Sequence, residues 1–164
     1  MRSFADFIKS FSKIEPLSNF QIIDICDKLK IKNFRGVFMR DELNIPKNNA
    51  NECMIINIDH SSNDGTHWTC LIKRNAEIIY FDSFGLKPPI EVEKYCDVHS
   101  TSTSADTAET TSATTPQRMY NTFQIQNPDD VICGHLCIYV LYKLSNCKAD
   151  FFTILDELYQ YRFR

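Results

Sequence analysis

The stretch that most constrains this chain is Gln126-Asn-Pro-Asp-Asp-Val-Ile-Cys133-Gly-His-Leu-Cys137-Ile-Tyr-Val-Leu-Tyr-Lys-Leu144, which passes straight from extended backbone into a helix. Pro128 disfavours helical backbone at Asn127, and Asp129 and Asp130 are of the type that caps a following helix. Beyond them Cys133, Cys137, Val140, Leu141 and Leu144 recur at the spacing of one helical face. The spacing predicts a helix whose first turn holds Cys133. Unpaired N–H groups and the helix dipole there favour a thiolate, which is a nucleophile once a base stands beside it.

The rest of the composition narrows the setting. A chain of 164 residues fits a single domain spanning 1–164. A net charge of −3 and a pI near 5.8 carry no basic footprint, so nucleic acid is not indicated as a partner. No apolar run approaches the roughly 18 residues of a membrane span, and Asp6 interrupts the N-terminal stretch where a signal peptide needs apolar residues. The seven cysteines are an odd number without metal-type pairing. Cys26, Cys70 and Cys137 sit among apolar residues, as reduced thiols do in a core. An intracellular, reducing location is the expectation.

Phe4, Phe7, Ile8 and Phe11 share one face of a short N-terminal helix. Ser18 and Gln21 form a capping box, with Leu17 and Ile22 placed as a hydrophobic staple, for a helix running to about Leu29 and burying Ile22, Ile23, Cys26 and Leu29. From Phe34 to Leu43, Gly36 and the polar residues that follow favour loops around a short apolar piece. Cys53–Ile58 reads as a strand apolar on both faces, and Asp59–Thr66 as a polar loop containing Gly65. His67–Lys73 and Ala76–Asp82 form a hairpin about Arg74-Asn75. With those two residues as the turn, His67 stands directly opposite Asp82, at a Cβ separation of about 4.5–5.5 Å. Ser100–Thr115 is rich in Ser, Thr and Ala with no larger aliphatic or aromatic residue, the composition of a flexible surface insertion. Tyr120–Gln126 is a further extended piece. A last helix begins near Asp150, with Phe151, Ile154, Leu155, Leu158 and Tyr161 on one face.

These elements hold the parts of a thiol hydrolase. Such chemistry needs a thiolate, an imidazole to activate it, a group to orient the imidazole, and donors for an oxyanion. Cys133 is the candidate nucleophile, and its own N–H at the helix start is one oxyanion donor. The Gln126 side-chain amide is the second donor, His67 the base, and Asp82 its orienting carboxylate. Singly, each has an ordinary structural explanation: packing for the cysteine, a strand end for His67, a turn for Asp82. Their combination is harder to reach by accident. His60 is a rival base, placed in a loop without an opposing carboxylate. A zinc site from Cys133, His135 and Cys137, with His99, is disfavoured because His135 faces away from the two cysteines on a helix. No metal or cofactor is expected.

Taken together, Gly65-Thr-His67-Trp68, Tyr80-Phe-Asp82-Ser-Phe-Gly85 and Gln126-Asn-Pro-(four residues)-Cys133-Gly134 resemble the adenovirus maturation protease (adenain) family, of the same clan as the SUMO and ubiquitin-like proteases. The order His, acid, Gln, Cys is the same. The seven-residue step from Gln126 to Cys133 resembles the adenoviral pattern, whereas aspartate at position 82 resembles the SUMO proteases. The resemblance covers about His67 to Leu144. It implies an α+β fold, a small mixed β-sheet flanked by helices with the catalytic cysteine at the N-terminus of a central helix. It also implies a cysteine endopeptidase that cuts after glycine-containing sequences, with Trp68 roofing the channel. Such an enzyme would mature structural precursors of a DNA virus or virus-like transposon, with an activating peptide as a conceivable partner. The alternatives are a SUMO or ubiquitin-like isopeptidase, an acyl transferase, and a catalytically inactive protein-binding module.

Overall fold

The computed structural model describes residues 3–43, 49–74, 76–98 and 116–162. The expected insertion at 100–115 lies outside the described residues. In chain order the elements are α1 (Phe4–Lys9), α2 (Asn19–Lys28), β1 (Phe34–Met39), a 3-10 turn (Arg40–Glu42), β2 (Glu52–Asn57), β3 (Trp68–Arg74), β4 (Glu77–Phe81), α3 (Ile90–Val98), β5 (Gln117–Tyr120), α4 (Cys133–Ser145) and α5 (Phe151–Arg162). This is the expected α+β architecture: one mixed five-stranded sheet in the order β1-β2-β3-β4-β5, with helices on both faces.

Strand parity sorts the core into two layers, because alternate side chains leave a strand on opposite sides. Cys53 and Ile55 of β2, Cys70 and Ile72 of β3, and Ile79 and Phe81 of β4 face the layer that holds α1, α2, α4 and α5. Met54, Ile56, Leu71, Ile78 and Tyr80 face the other layer, where α3 contributes Val92, Tyr95 and Cys96. From Leu136 to Leu141 every side chain of α4 is fully buried. A helix apolar all round can sit only in the interior, so α4 lies between β2 and β3 on one side and α1, α2 and α5 on the others. At one end of the sheet the buried Glu52 carboxylate ties strands to helix, accepting from Lys73 Nζ at 2.9 Å, Arg35 Nη1 at 2.8 Å and the Tyr95 hydroxyl.

The capping box on α2 is present in both directions, with Gln21 N donating to Ser18 Oγ and Ser18 N to Gln21 Oε1. Ile23, however, is exposed; Ile22, Ile25, Cys26 and Leu29 form the inward stripe, and Ile23 lies about 100° round the helix from Ile22. Phe34–Met39 is a strand rather than loop. It pairs in parallel with β2, and its register shifts between Phe34 and Val37, where Gly36 takes φ +126°. An irregular edge strand lacks the alternation that would announce it. α3 had no counterpart in the sequence reading.

The hairpin register differs from expectation. Arg74 lies opposite Glu77 and Lys73 opposite Ile78 rather than Ala76, so the pairing has slid by two residues. A slip of two keeps every side chain on its face. This register gives Arg74 an ion pair with Glu77 at 2.9 Å and aims its Nη1 at the carbonyls of Leu144 and Ala149, both at 3.2 Å. Continued outward, it sets His67 opposite Phe84 and diagonal to Asp82.

Candidate active site

Cys133 is the first residue of α4, and the cap position is Ile132, which offers no side-chain acceptor. Neither Asp129 nor Asp130 caps the helix. Asp130 closes its own turn instead, its carboxylate accepting from Asn127 N and Nδ2 at 3.3 and 3.2 Å. The N–H groups of the first turn of α4 therefore remain without a cap, at the end of the helix where the dipole is positive.

His67 and Asp82 flank the ends of β3 and β4 and come together across the diagonal. His67 Nε2 donates to Asp82 Oδ1 at 2.9 Å, with the two side chains only 7% and 1% exposed. A carboxylate can only accept, so Nε2 carries the proton and Nδ1 is turned towards Cys133. The Phe84 ring lies against the imidazole with centroids 4.6 Å apart. Asp82 is also a turn residue: its Oδ1 accepts from Phe84 N at 2.8 Å and its carbonyl from Gly85 N at 2.8 Å. The turn and the orienting of His67 are thus one arrangement. Gly85, at φ +74°, is needed here, since a Cβ would stand 2.6 Å from the Phe123 carbonyl carbon.

Burial alone would lower the His67 pKa. Hydrogen bonds to Asp82 and Cys133, with the charges of both, outweigh it and lift the imidazole from 6.5 to about 9. Burial would likewise raise the Cys133 thiol, but the His67 hydrogen bond, the backbone N–H groups of Trp68 and Gly134 and the His67 charge together hold it below its ordinary value of 9.0. Each partner stabilises the charged form of the other, which is the condition for a thiolate–imidazolium pair. Cys137, one turn further on, is fully buried, and burial and the neighbouring Cys70 push its thiol well up. All seven cysteines are free thiols.

Gln126 is 2% exposed and lines the same cleft, a depression of about 830 Å³ that also takes in His67, Trp68 and Cys133. Its Oε1 accepts from Ser83 Oγ at 2.9 Å and its Nε2 donates to the Asp130 carbonyl, which orients the amide and leaves one N–H uncommitted. The Trp68 indole is anchored by Nε1 donating to the Leu17 carbonyl at 2.8 Å. Gly134 lets it lie close to α4: a Cβ there would meet Trp68 Cδ1 and Leu17 Cβ, both at 3.3 Å.

The fold thus gathers His67, Trp68, Asp82, Gln126 and Cys133 in one place. His60 lies elsewhere and has a carboxylate partner after all, its Nδ1 3.0 Å from Asp41. His135 is fully buried edge-on to Phe11, and among the described residues no group of three or more potential ligands could hold a metal ion. His99 lies outside the described residues. No helix among the described residues is long and apolar enough to cross a membrane.

Two supporting residues escaped the sequence reading. Asn121 clamps the Asp82 backbone: its Oδ1 accepts from Asp82 N at 3.1 Å, and its Nδ2 donates to Asp82 O at 2.6 Å and to Phe123 O at 3.2 Å. Ser83 holds Gln126 through its hydroxyl and through its carbonyl, which accepts from Gln126 N at 3.0 Å. Adjacent residues of one turn therefore position the two halves of the site. Ser83 had a weak signal in its place beside Asp82; Asn121, 39 residues away, had none.

No known protein family matches the sequence, and no curated protein matches it. Solved structures do. The crystal structure of the ASFV pS273R protease aligns with a TM-score of 0.55 at 17% sequence identity, over 90% of this chain and 66% of that one. The selenomethionine form of the same protease aligns at 0.56 and 14% identity over the same shares. This chain spans just under two thirds of that protease's length. At such identity the likeness shows the fold.

Proposed function

We propose that this protein is a cysteine protease in which Cys133, His67 and Asp82 act as a catalytic triad and Gln126 completes an oxyanion hole. The observation that carries the reading is the chain of contacts from Asp82 through His67 to Cys133, inside an open cleft and at an uncapped helix start. The shared fold with a protease supports it.

The Cys133 thiolate adds to the substrate carbonyl carbon, forming a C–S bond while the carbonyl π electrons move onto oxygen. The Cys133 N–H and the uncommitted Gln126 N–H bond that oxyanion as its charge develops. As the oxyanion collapses, the C–N bond breaks and the His67 imidazolium protonates the leaving amine. Neutral His67 then takes a proton from water, whose oxygen attacks the thioester; the C–S bond breaks, releasing the acid and restoring the Cys133 thiolate beside the His67 imidazolium. Asp82 keeps the imidazole in one tautomer and stabilises its charged form.

Glycine before the cut is the specificity we assign. Trp68 is held over the cleft by Leu17 and Gly134, and a channel roofed by an indole excludes a Cβ by clash. The natural substrates are then precursor proteins carrying such glycine sites, in a reducing compartment that keeps Cys133 a free thiol; viral or virus-like structural precursors fit the sequence resemblance. The test is a side-by-side assay of glycine-containing precursor peptides, their Gly→Ala variants, and a SUMO precursor ending in Gly-Gly-x. Peptides should be cut, the alanine variants spared, and Cys133→Ala inert. Efficient SUMO processing with untouched peptides would make the protein an isopeptidase, and an active Cys133→Ala protein would end the reading.

A further inference from the structure

Asn57 stands at the C-terminal end of β2, directly opposite Trp68 on β3. Ile58 N donates to His67 O at 3.0 Å, which makes the next pair, Asn57 and Trp68, a non-hydrogen-bonded one, where side chains lie closest. Both residues line the cleft that contains Cys133. The Asn57 side chain is only 2% exposed and is held at one end: its Oδ1 accepts from Asp59 N at 3.0 Å and from Thr66 N at 3.1 Å. Two backbone N–H groups on one side-chain atom identify that atom as oxygen, so the amide nitrogen is fixed at the other end.

That nitrogen carries two N–H donors, and neither has an acceptor among the described residues. It lies beside Gly65, where a Cβ would stand 2.9 Å from Nδ2, and Gly65 also lines the cleft at φ +87°. A side chain at 65 would cover the amide; glycine leaves it open. The nitrogen opens onto the cleft, so water satisfies these donors when the cleft is empty and an acceptor arriving from outside can replace that water. Every peptide segment brings such acceptors in its backbone carbonyls.

We propose that Asn57 is a substrate-binding residue whose amide donates to a backbone carbonyl on the acyl side of the bound peptide, beside Trp68. This rests on the protease reading and adds to it a contact that holds the chain whatever its side chains are. It also gives the loop between β2 and His67 a function: Asp59 and Thr66 orient the amide by their N–H groups.

The test uses the full chain and Asn57→Asp, which keeps an oxygen for both backbone donors and replaces the amide N–H groups by an acceptor. For an acetylated Leu-Ala-Gly-Gly-Ala amide, kcat/KM should fall at least about tenfold, chiefly through KM. Alkylation of Cys133 by iodoacetamide, which needs no peptide subsite, should stay within about twofold of wild type. In a peptide series with each acyl-side carbonyl replaced by methylene, one position should cost the wild type about tenfold and cost Asn57→Asp nothing more. Wild-type cleavage by the variant, a parallel loss of alkylation, or additive losses at every carbonyl overturns the proposal while leaving proteolysis standing.

A second measurement needs no change at Asn57, and so also covers a variant that fails to fold or a wild type that leaves the peptide uncut. In Cys133→Ala protein saturated with the same peptide, judged by fluorescence of Trp68, the chain's one tryptophan, the Asn57 side-chain amide NMR signals should shift. Fixed signals, or no binding, overturn the proposal. Shifted signals with no cleavage by wild type keep the subsite and remove the protease reading.

Discussion

Replacing His135 by leucine probes how the helix that begins at Cys133 is seated. The imidazole is fully buried, edge-on to Phe11 with centroids 4.7 Å apart, and neither ring nitrogen has a hydrogen-bond partner among the described residues. Burial lowers its pKa from 6.5 to about 4. A base with a depressed folded pKa contributes its full stability above the unfolded value and loses it as pH falls towards the folded one. The window is therefore pH 6.5 down to 4. At pH 5 the imidazole of the unfolded chain is almost wholly protonated and the folded one almost wholly neutral, a linkage penalty of about 2 kcal/mol relative to pH 7.5. For a domain of this size that is roughly 4–8 °C in Tm. Leucine is close to histidine in volume, cannot be protonated and removes two unpaired nitrogens. His135→Leu should be at least as stable as wild type at pH 7.5, and its advantage should widen by about 2 kcal/mol at pH 5. Urea unfolding of both proteins at both pH values measures this, because titrations common to the two cancel in the difference. An advantage of the same size at pH 5 and 7.5 refutes the reasoning, since His135 would then ionise alike in the folded and unfolded chain.

Other measurements address the site itself. Iodoacetamide should modify Cys133 well before Cys137, with a midpoint below the ordinary thiol value and a second inflection near pH 9 as His67 loses its proton; equal rates at the two cysteines would count against the thiolate–imidazolium pair. Asn121→Ala frees the Asp82 backbone and should lower kcat about tenfold with KM little changed, while raising the Cys133 alkylation midpoint. An unmoved midpoint would reduce Asn121 to a purely structural part. Gly85→Ala should cost about 3 kcal/mol in thermal unfolding, because the new methyl meets Phe123 backbone at a positive φ. A loss below about 1 kcal/mol would mean that the 82–85 turn can relax.

What the sequence by itself determined is what depends on near neighbours. The capping box of α2, the start of α5 after Asp150, the apolar helical spacing from Cys133 to Leu144 and the two-sided apolar pattern of β2 are set by spacings of two to four residues, and each is present; that α4 is buried on all sides came only from the structure. Cys133 at the first turn of α4 and the hairpin carrying His67 and Asp82 were legible for the same reason. Only the tertiary structure decided the hairpin register, because Arg74 reaches carbonyls 70 and 75 residues further along the chain. β1 became a strand because β2 supplied a pairing edge, although its own residues, broken at Gly36, show no alternation. Asp129 and Asp130 looked like helix caps, yet Asp130 is turned back to Asn127 and the helix start is left bare beside His67. Asn57 and Asn121 are ordinary polar residues in sequence. Their character comes from hydrogen bonds, since an amide is defined by which of its two ends is already satisfied, and for Asn121 those partners lie 39 residues away in a strand and turn that only folding brings near.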